Sequence, residues 1–199
     1  MPTNCLDRKP WSTIYFDSVA TPIGPVFFGV SEIGVCDLML GETSESRYRS
    51  RLSDFAVNVC RSQACSEYFS GQLAEYFSDS HYQFTVFVDL SRATLFTRRV
   101  LKEVMQLPPG MLITYGDIAT RIGSPRAGQA VGAALGRNPV PIVIPCHRVI
   151  KRGGDLGGFS HGLSVKRFLL GFEGFKFNEK LRIVFTPDEL CSRTTSTGS

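Results

Sequence analysis

Thr114-Tyr115-Gly116-Asp117-Ile118-Ala119-Thr120-Arg121, a break at Gly123-Ser124-Pro125, and then Arg126-Ala127-Gly128-Gln129-Ala130-Val131-Gly132-Ala133-Ala134-Leu135 set two helical patterns on either side of a short break. Thr114 and Asp117 have the spacing of a capping box, in which two side chains satisfy backbone N–H groups that a first helical turn leaves open. Gly123 supplies the stop, and a second helix is predicted over 126–135. Two short helices across so tight a break predict a helix-turn-helix. The second carries Ala127, Gly128, Ala130, Gly132, Ala133 and Ala134. Such small side chains suit either close approach of a partner to the helix backbone or tight helix packing in a core, and both readings stay open at this point.

Working outward, Leu95, Phe96, Val100, Leu101, Val104 and Met105 recur at helical spacing, so a helix is predicted from Thr94 to Met105, ended by Pro108-Pro109-Gly110. On the other side, Pro139-Val140-Pro141-Ile142-Val143-Ile144 reads as a stiff, extended apolar run. It delivers Pro145-Cys146-His147-Arg148 to a fixed place. A free cysteine is more often a small buried hydrophobe than a nucleophile. Here it adjoins a histidine, the side chain best suited to carry a proton at neutral pH. Gly153, Gly154, Gly157 and Gly158 follow, where backbone can approach a ligand closely.

The first ninety residues have another character. Short β-prone runs between Thr13 and Leu40, punctuated by Pro22-Ile23-Gly24 and Glu32-Ile33-Gly34, predict an antiparallel meander. An amphipathic helix over 62–77 is expected to cover one face, and a strand from Phe84 to Val88 to close the sheet. The fold class is therefore α+β, with a small N-terminal antiparallel sheet and helix, then a mostly helical C-terminal domain containing the helix-turn-helix. The expected domains are 1–90 and 91–187. Residues 188–199, rich in Ser, Thr and Gly, are expected to be a disordered tail.

The net charge of +4 permits nucleic-acid binding without requiring it. Its distribution is more telling. Between Arg92 and Arg152 the basic residues face only Glu103 and Asp117, so most of the positive field belongs to the segment containing Cys146. Six scattered cysteines argue against a disulfide scaffold, and with three histidines a zinc site is poorly supported. No metal or cofactor is expected. No apolar run approaches the length of a membrane span and Met1–Pro10 lacks a secretory signal, so the protein is expected inside the cell. That means the nucleus in a eukaryote or the cytoplasm in a prokaryote.

Thr114-Tyr115, the helix-turn-helix, Asn138-Pro139-Val140-Pro141, Pro145-Cys146-His147-Arg148-Val149 and Glu173-Gly174 together resemble the O6-alkylguanine-DNA alkyltransferases. The resemblance is strong from about Phe96 to Gly174. Over the first ninety residues it is weak, with Thr21-Pro22-Ile23-Gly24 its clearest point. It implies direct-reversal repair of double-stranded DNA by a monomer. An alkyl group passes irreversibly from O6 of guanine, less readily from O4 of thymine, to the Cys146 thiolate. In the family the residue matching His147 takes the thiol proton through a water, and that matching Glu173 orients the imidazole. The match to Tyr115 donates to the purine and helps rotate the nucleotide out of the duplex. Asn138 matches the residue joining the recognition helix to the active-site turn. Phe159 and Ser160 match the loop over the flipped base, and Val149 belongs to the same pocket. DNA contacts are expected from Thr114, Arg126, Ala127, Gln129 and Arg137, while Arg148 is expected to be a structural cation.

Three departures stand out. Gln129 replaces an arginine that enters the base stack, His161 replaces a glycine, and Phe159 replaces a tyrosine. Gln129 is expected to weaken binding or slow flipping, and His161 to narrow the pocket or point into solvent. Three competing functions are a damage sensor, disfavoured by Cys146, a cysteine hydrolase, for which the helix-turn-helix has no role, and an alkylation-sensing transcription regulator, for which no further regulatory domain is visible.

Overall fold

The computed structural model describes residues 11–41 and 43–184. The tail at 188–199 lies outside them, as does Cys5. Strands β1 (Trp11–Thr21), β2 (Gly24–Val30) and β3 (Val35–Leu40) form the antiparallel meander. The first turn is tied by the Thr21 hydroxyl, which donates to the Gly24 carbonyl at 2.6 Å and accepts from Ile23 N–H.

Two elements go beyond that expectation. Helix α1 (Glu45–Ser53) is capped by Ser44, and strand β4 (Ala56–Arg61) pairs in parallel with β1. The sheet is therefore mixed, in the order β3-β2-β1-β4. Both escaped notice because α1 buries only Tyr48 and Leu52, and β4 is largely exposed. The predicted closing strand at 84–88 is absent apart from a bridge between Val88 and Val35. Side-chain hydrogen bonds compete for its backbone: Gln72 accepts from Thr85 N–H and donates to the Thr85 hydroxyl, both at 2.8 Å. The β3 edge is covered instead by loops, through Val35 N–H to the Phe87 carbonyl and Leu38 N–H to the Pro139 carbonyl.

Side chains alternate across the sheet as strand geometry demands. Phe27 joins Ile14, Phe16, Tyr48 and Leu52 on the α1 face. Val26 and Phe28 meet Phe69, Leu73 and Tyr76 of helix α2 (Gln63–Ser78) on the other. The second cluster continues past residue 90 into Val140, Ile142, Val143 and Leu169, so the sheet, α2 and the segment before Cys146 share one apolar interior.

Helix α3 (Leu95–Met105), capped by Thr94, buries Val100, Leu101 and Val104. It packs with α4 (Tyr115–Arg121) and α5 (Gly128–Leu135) in the core that contains Cys146. Both halves of the Thr114–Asp117 capping box are formed. Helix α5 begins at Gly128 rather than Arg126, after a connection over 122–127. Ala127 occupies the cap position and offers no side-chain acceptor, so this start is uncapped. Strand β5 (Ile113–Thr114) pairs in parallel with β6 (Val149–Ile150), setting Tyr115 beside the turn at Cys146–Arg148. Helix α6 (Leu163–Phe172) and the hairpin of β7 (Lys176–Phe177) with β8 (Ile183–Val184) complete the described chain. Among the described residues no helix is long and apolar enough to cross a membrane.

Candidate active site

Residues 139–144 form a tight turn and not the extended run expected. Ile144 N–H donates to the Val140 carbonyl at 2.9 Å, and Ile142 takes the left-handed conformation at φ 74°. That backbone is costly for a β-branched residue and persists only when its surroundings enforce it. Burial of Val140, Ile142 and Val143 in the shared core provides the enforcement. So does Asn138, whose Oδ1 accepts from Val140 N–H at 3.0 Å while Nδ2 donates to the Ile144 carbonyl at 2.9 Å. The Val140 N–H fixes which way the amide faces, so Nδ2 also donates to Cys146 Sγ at 3.0 Å.

Cys146 is 7% exposed. Burial pushes its thiol pKa up, against the Asn138 N–H and the positive charge of Lys166, which pull it down. Lys166 is itself fully buried. Its ammonium donates to the carbonyls of Val149 at 2.6 Å, Leu156 at 2.5 Å and Gly158 at 3.4 Å. Burial draws its pKa down to about 8, while Cys146 and Asp155 act to raise it.

The next residue, His147, is buried, with Nε2 2.9 Å from Glu173 Oε1. Burial disfavours charge on Glu173, yet hydrogen bonds from His147 and Arg148 and the positive charge of Arg148 outweigh it and hold the carboxyl at about 2. An ionised Glu173 only accepts, so Nε2 carries the proton and Nδ1 is left with its lone pair. Nδ1 has no hydrogen-bond partner within the protein. Burial also lowers the His147 pKa, with Glu173 opposing, so the imidazole rests neutral as a base must. Arg148 braces the carboxylate through Nε and Nη2, the latter at 2.7 Å, and donates Nη1 to the Leu107 carbonyl at 2.6 Å. Glu173 ends α6, and Gly174, at φ 90°, makes the left-handed turn that stops the helix there.

Above Cys146 opens a cavity of about 630 Å³ walled by Tyr115, Gln129, Gly132, Phe159 and Ser160. The small face of α5 is thus partly a cavity wall, although Val131, Ala134 and Leu135 pack in the core. Gly157 lies so close to Tyr115 that a Cβ there would sit 2.7 Å from the phenol oxygen. The Ser160 hydroxyl donates to the Gly136 carbonyl at 3.2 Å, tying the loop to the end of α5.

Other residues singled out from sequence lie elsewhere. Thr114 is buried and its hydroxyl is committed to the cap, donating to Asp117 at 2.7 Å. Val149 is fully buried beside Cys146 and does not line the cavity. Arg126 is exposed and Ala127 half-buried at the approach to α5. Arg137 is exposed and borders a separate cavity with Cys36 and Pro139. The His161 ring neither lines the main cavity nor faces open solvent; it is half-buried, 5.7 Å from the Phe159 ring. Lys166 escaped sequence reasoning. Its signal is the spacing of Leu163, Lys166, Leu169 and Leu170, which puts a lysine on the apolar stripe of a helix.

Residues 95–175 match the family model for the DNA-binding domain of 6-O-methylguanine DNA methyltransferase. The methylated-DNA–protein-cysteine methyltransferase of Salmonella typhimurium is 33% identical over 168 residues, covering 80% of this chain and 95% of that protein. Its counterpart from Mycobacterium tuberculosis is 37% identical over 161 residues, with 80% and 92% covered. The crystal structure of the Mycobacterium tuberculosis O6-methylguanine methyltransferase superposes with a TM-score of 0.69 at 34% identity, over 80% of this chain and 92% of that one. Mycobacterium tuberculosis OGT in complex with DNA gives 0.68 over the same shares. With relatives this similar along nearly their whole length, and a buried Cys-His-Glu constellation under a cavity, the chain belongs to the methylated-DNA–protein-cysteine methyltransferase family.

Proposed function

We propose that the protein repairs double-stranded DNA by taking the alkyl group from O6 of guanine, and less readily from O4 of thymine, onto Cys146 in one irreversible turnover. The observation that carries this reading is that Cys146 lines the cavity, with the next residue, His147, buried against Glu173. The volume lies in the range of small-ligand sites, so an extruded base with its adduct fits.

The thiol proton passes to His147 Nδ1 through one water, and the imidazolium is stabilised by Glu173. The Asn138 amide and the Lys166 charge favour the thiolate. Sulfur attacks the alkyl carbon, a carbon–sulfur bond forms as the carbon–O6 bond breaks, and the electron pair leaves on the purine. Tyr115 donates to the base as charge develops; the base then takes a proton from water, and the His147 imidazolium releases the thiol's proton to water, so protons balance. A thioether is a poor leaving group, so the protein is not regenerated.

In this reading residues 1–90 support the catalytic turn, residues 91–187 bind DNA as a monomer, and α4 with α5 act as the helix-turn-helix. Arg126, Arg137, Ala127 and Gln129 contact the duplex, while Thr114 contributes by capping the helix that carries Tyr115. The test uses duplex DNA bearing radiolabelled O6-methylguanine in excess over protein. Label should move to protein to a limit of one methyl per chain, and Cys146→Ala should take none. Continued release of methyl product beyond one equivalent would contradict the proposal.

A further inference from the structure

Tyr76 lies on α2, almost a hundred residues before the carboxylate it faces, and is 1% exposed. Its hydroxyl donates to Glu173 Oε1 at 3.3 Å, the same oxygen that meets His147 Nε2 at 2.9 Å and Arg148 Nη2 at 2.7 Å. The ring is clasped by three others. Phe77, Phe84 and Phe172 have centroids 5.1, 5.4 and 5.8 Å away, and Phe172 immediately precedes Glu173. The hydroxyl therefore has no freedom to leave the carboxylate. Burial and the charge of Glu173 keep the phenol protonated, against the opposing influence of Arg148, so it remains a donor.

From this geometry we infer that Tyr76 is a positioning residue for alkyl transfer, through which the N-terminal sheet region holds Glu173 and limits how strongly that carboxylate pulls on His147. Three residues share one carboxylate oxygen, Arg148 through both Nη2 and Nε, and each weakens the others' claim on it. The charged groups facing His147 are Glu173, Arg148 and Lys166. Tyr76 is neutral, so it adjusts the carboxylate without adding charge. Packing alone requires a ring at this position and no hydroxyl.

Tyr76→Phe keeps the ring and removes only the hydroxyl. Oε1 then serves His147 and Arg148 alone, and the His147–Glu173 hydrogen bond tightens. The expected result is a downfield move of the His147 Nε2 proton in NMR, assigned with His147→Gln in a chain of three histidines. The acid limb of the single-turnover rate profile moves to higher pH with it, because a more basic imidazole is protonated sooner. Leu73→Ala loosens the same helix without touching Glu173, so it lowers the melting temperature and leaves that proton in place. A Tyr76→Phe protein whose Nε2 proton stays fixed or moves upfield overturns the inference, whatever its rate. The idea rests on His147 as the base, and the two fail separately. If His147 is not the base, the proton still moves but the parent's rate profile has no acid limb belonging to His147.

Discussion

Cys36 and Cys146 are both free thiols, 2% and 7% exposed, yet the regions around them are built with opposite polarity. Cys36, on the edge strand β3, donates to the Gly29 carbonyl at 3.4 Å. Burial and the negative charges of Asp37 and Asp89 push its thiol far above the ordinary range. Cys146 suffers the same burial but receives an N–H from Asn138 and feels the positive charge of Lys166. Burial therefore does not distinguish a nucleophile from a core hydrophobe. The direction of the hydrogen bond at sulfur and the sign of the nearest charge do so, because they decide whether the anion finds partners.

The sharpest way to break this contrast is to give Cys146 the surroundings of Cys36. Asn138→Asp replaces the donor at sulfur by a negative charge and also removes the clasp on the Ile144 carbonyl. Alkyl transfer at neutral pH should slow by about 100-fold, as when one positioned donor to a developing charge is lost, and single-turnover kinetics on methylated duplex measures it. Lys166→Met removes the cation and leaves three carbonyls without their donor. A slowing of about 10-fold is expected, equal to about 1.4 kcal/mol in the barrier. A rate unchanged in both variants would mean that the polarity around Cys146 is incidental.

Glu173 provides a third, smaller test, made on stability. Its folded pKa of about 2 lies below the ordinary 4.5, so its contribution is complete above about pH 4.5 and fades as pH falls toward 2. The parent should lose on the order of 3 kcal/mol across that window. Glu173→Gln should start less stable and lose less there, measured by urea unfolding at several pH values. Cys36→Ala should have the least effect. It trims a small apolar group at a cost of about 1 kcal/mol and leaves the alkyl-transfer rate at the parental value.

Much of this architecture was legible in the sequence where local rules and tertiary packing agree. The Thr114–Asp117 box, the α3 periodicity and the β1–β3 turns form as read, because each is fixed by neighbours in the chain. The failures share a cause. Segment 84–88 has strand composition, but Gln72 takes its hydrogen bonds. The run before Cys146 looks extended, but core burial and the Asn138 amide fold it into a turn with Ile142 left-handed. Helix α1 is held by contacts distant in the chain, such as Arg51 with Asp37 at 2.8 Å, and strand β4 by its parallel pairing with β1. The motif around Cys146 is contiguous in the chain, whereas Lys166 and Tyr76 come from helices whose relation to it exists only in three dimensions.

Peptide mapping by mass spectrometry after reaction with duplex DNA containing O6-methylguanine tests the central claim most directly, because it compares every cysteine in one sample. The prediction is a single added methyl group, found on the peptide containing Cys146, with Cys36 unmodified. Methyl on Cys36 or Cys60, or an unmodified Cys146 in protein that has repaired its DNA, would contradict it.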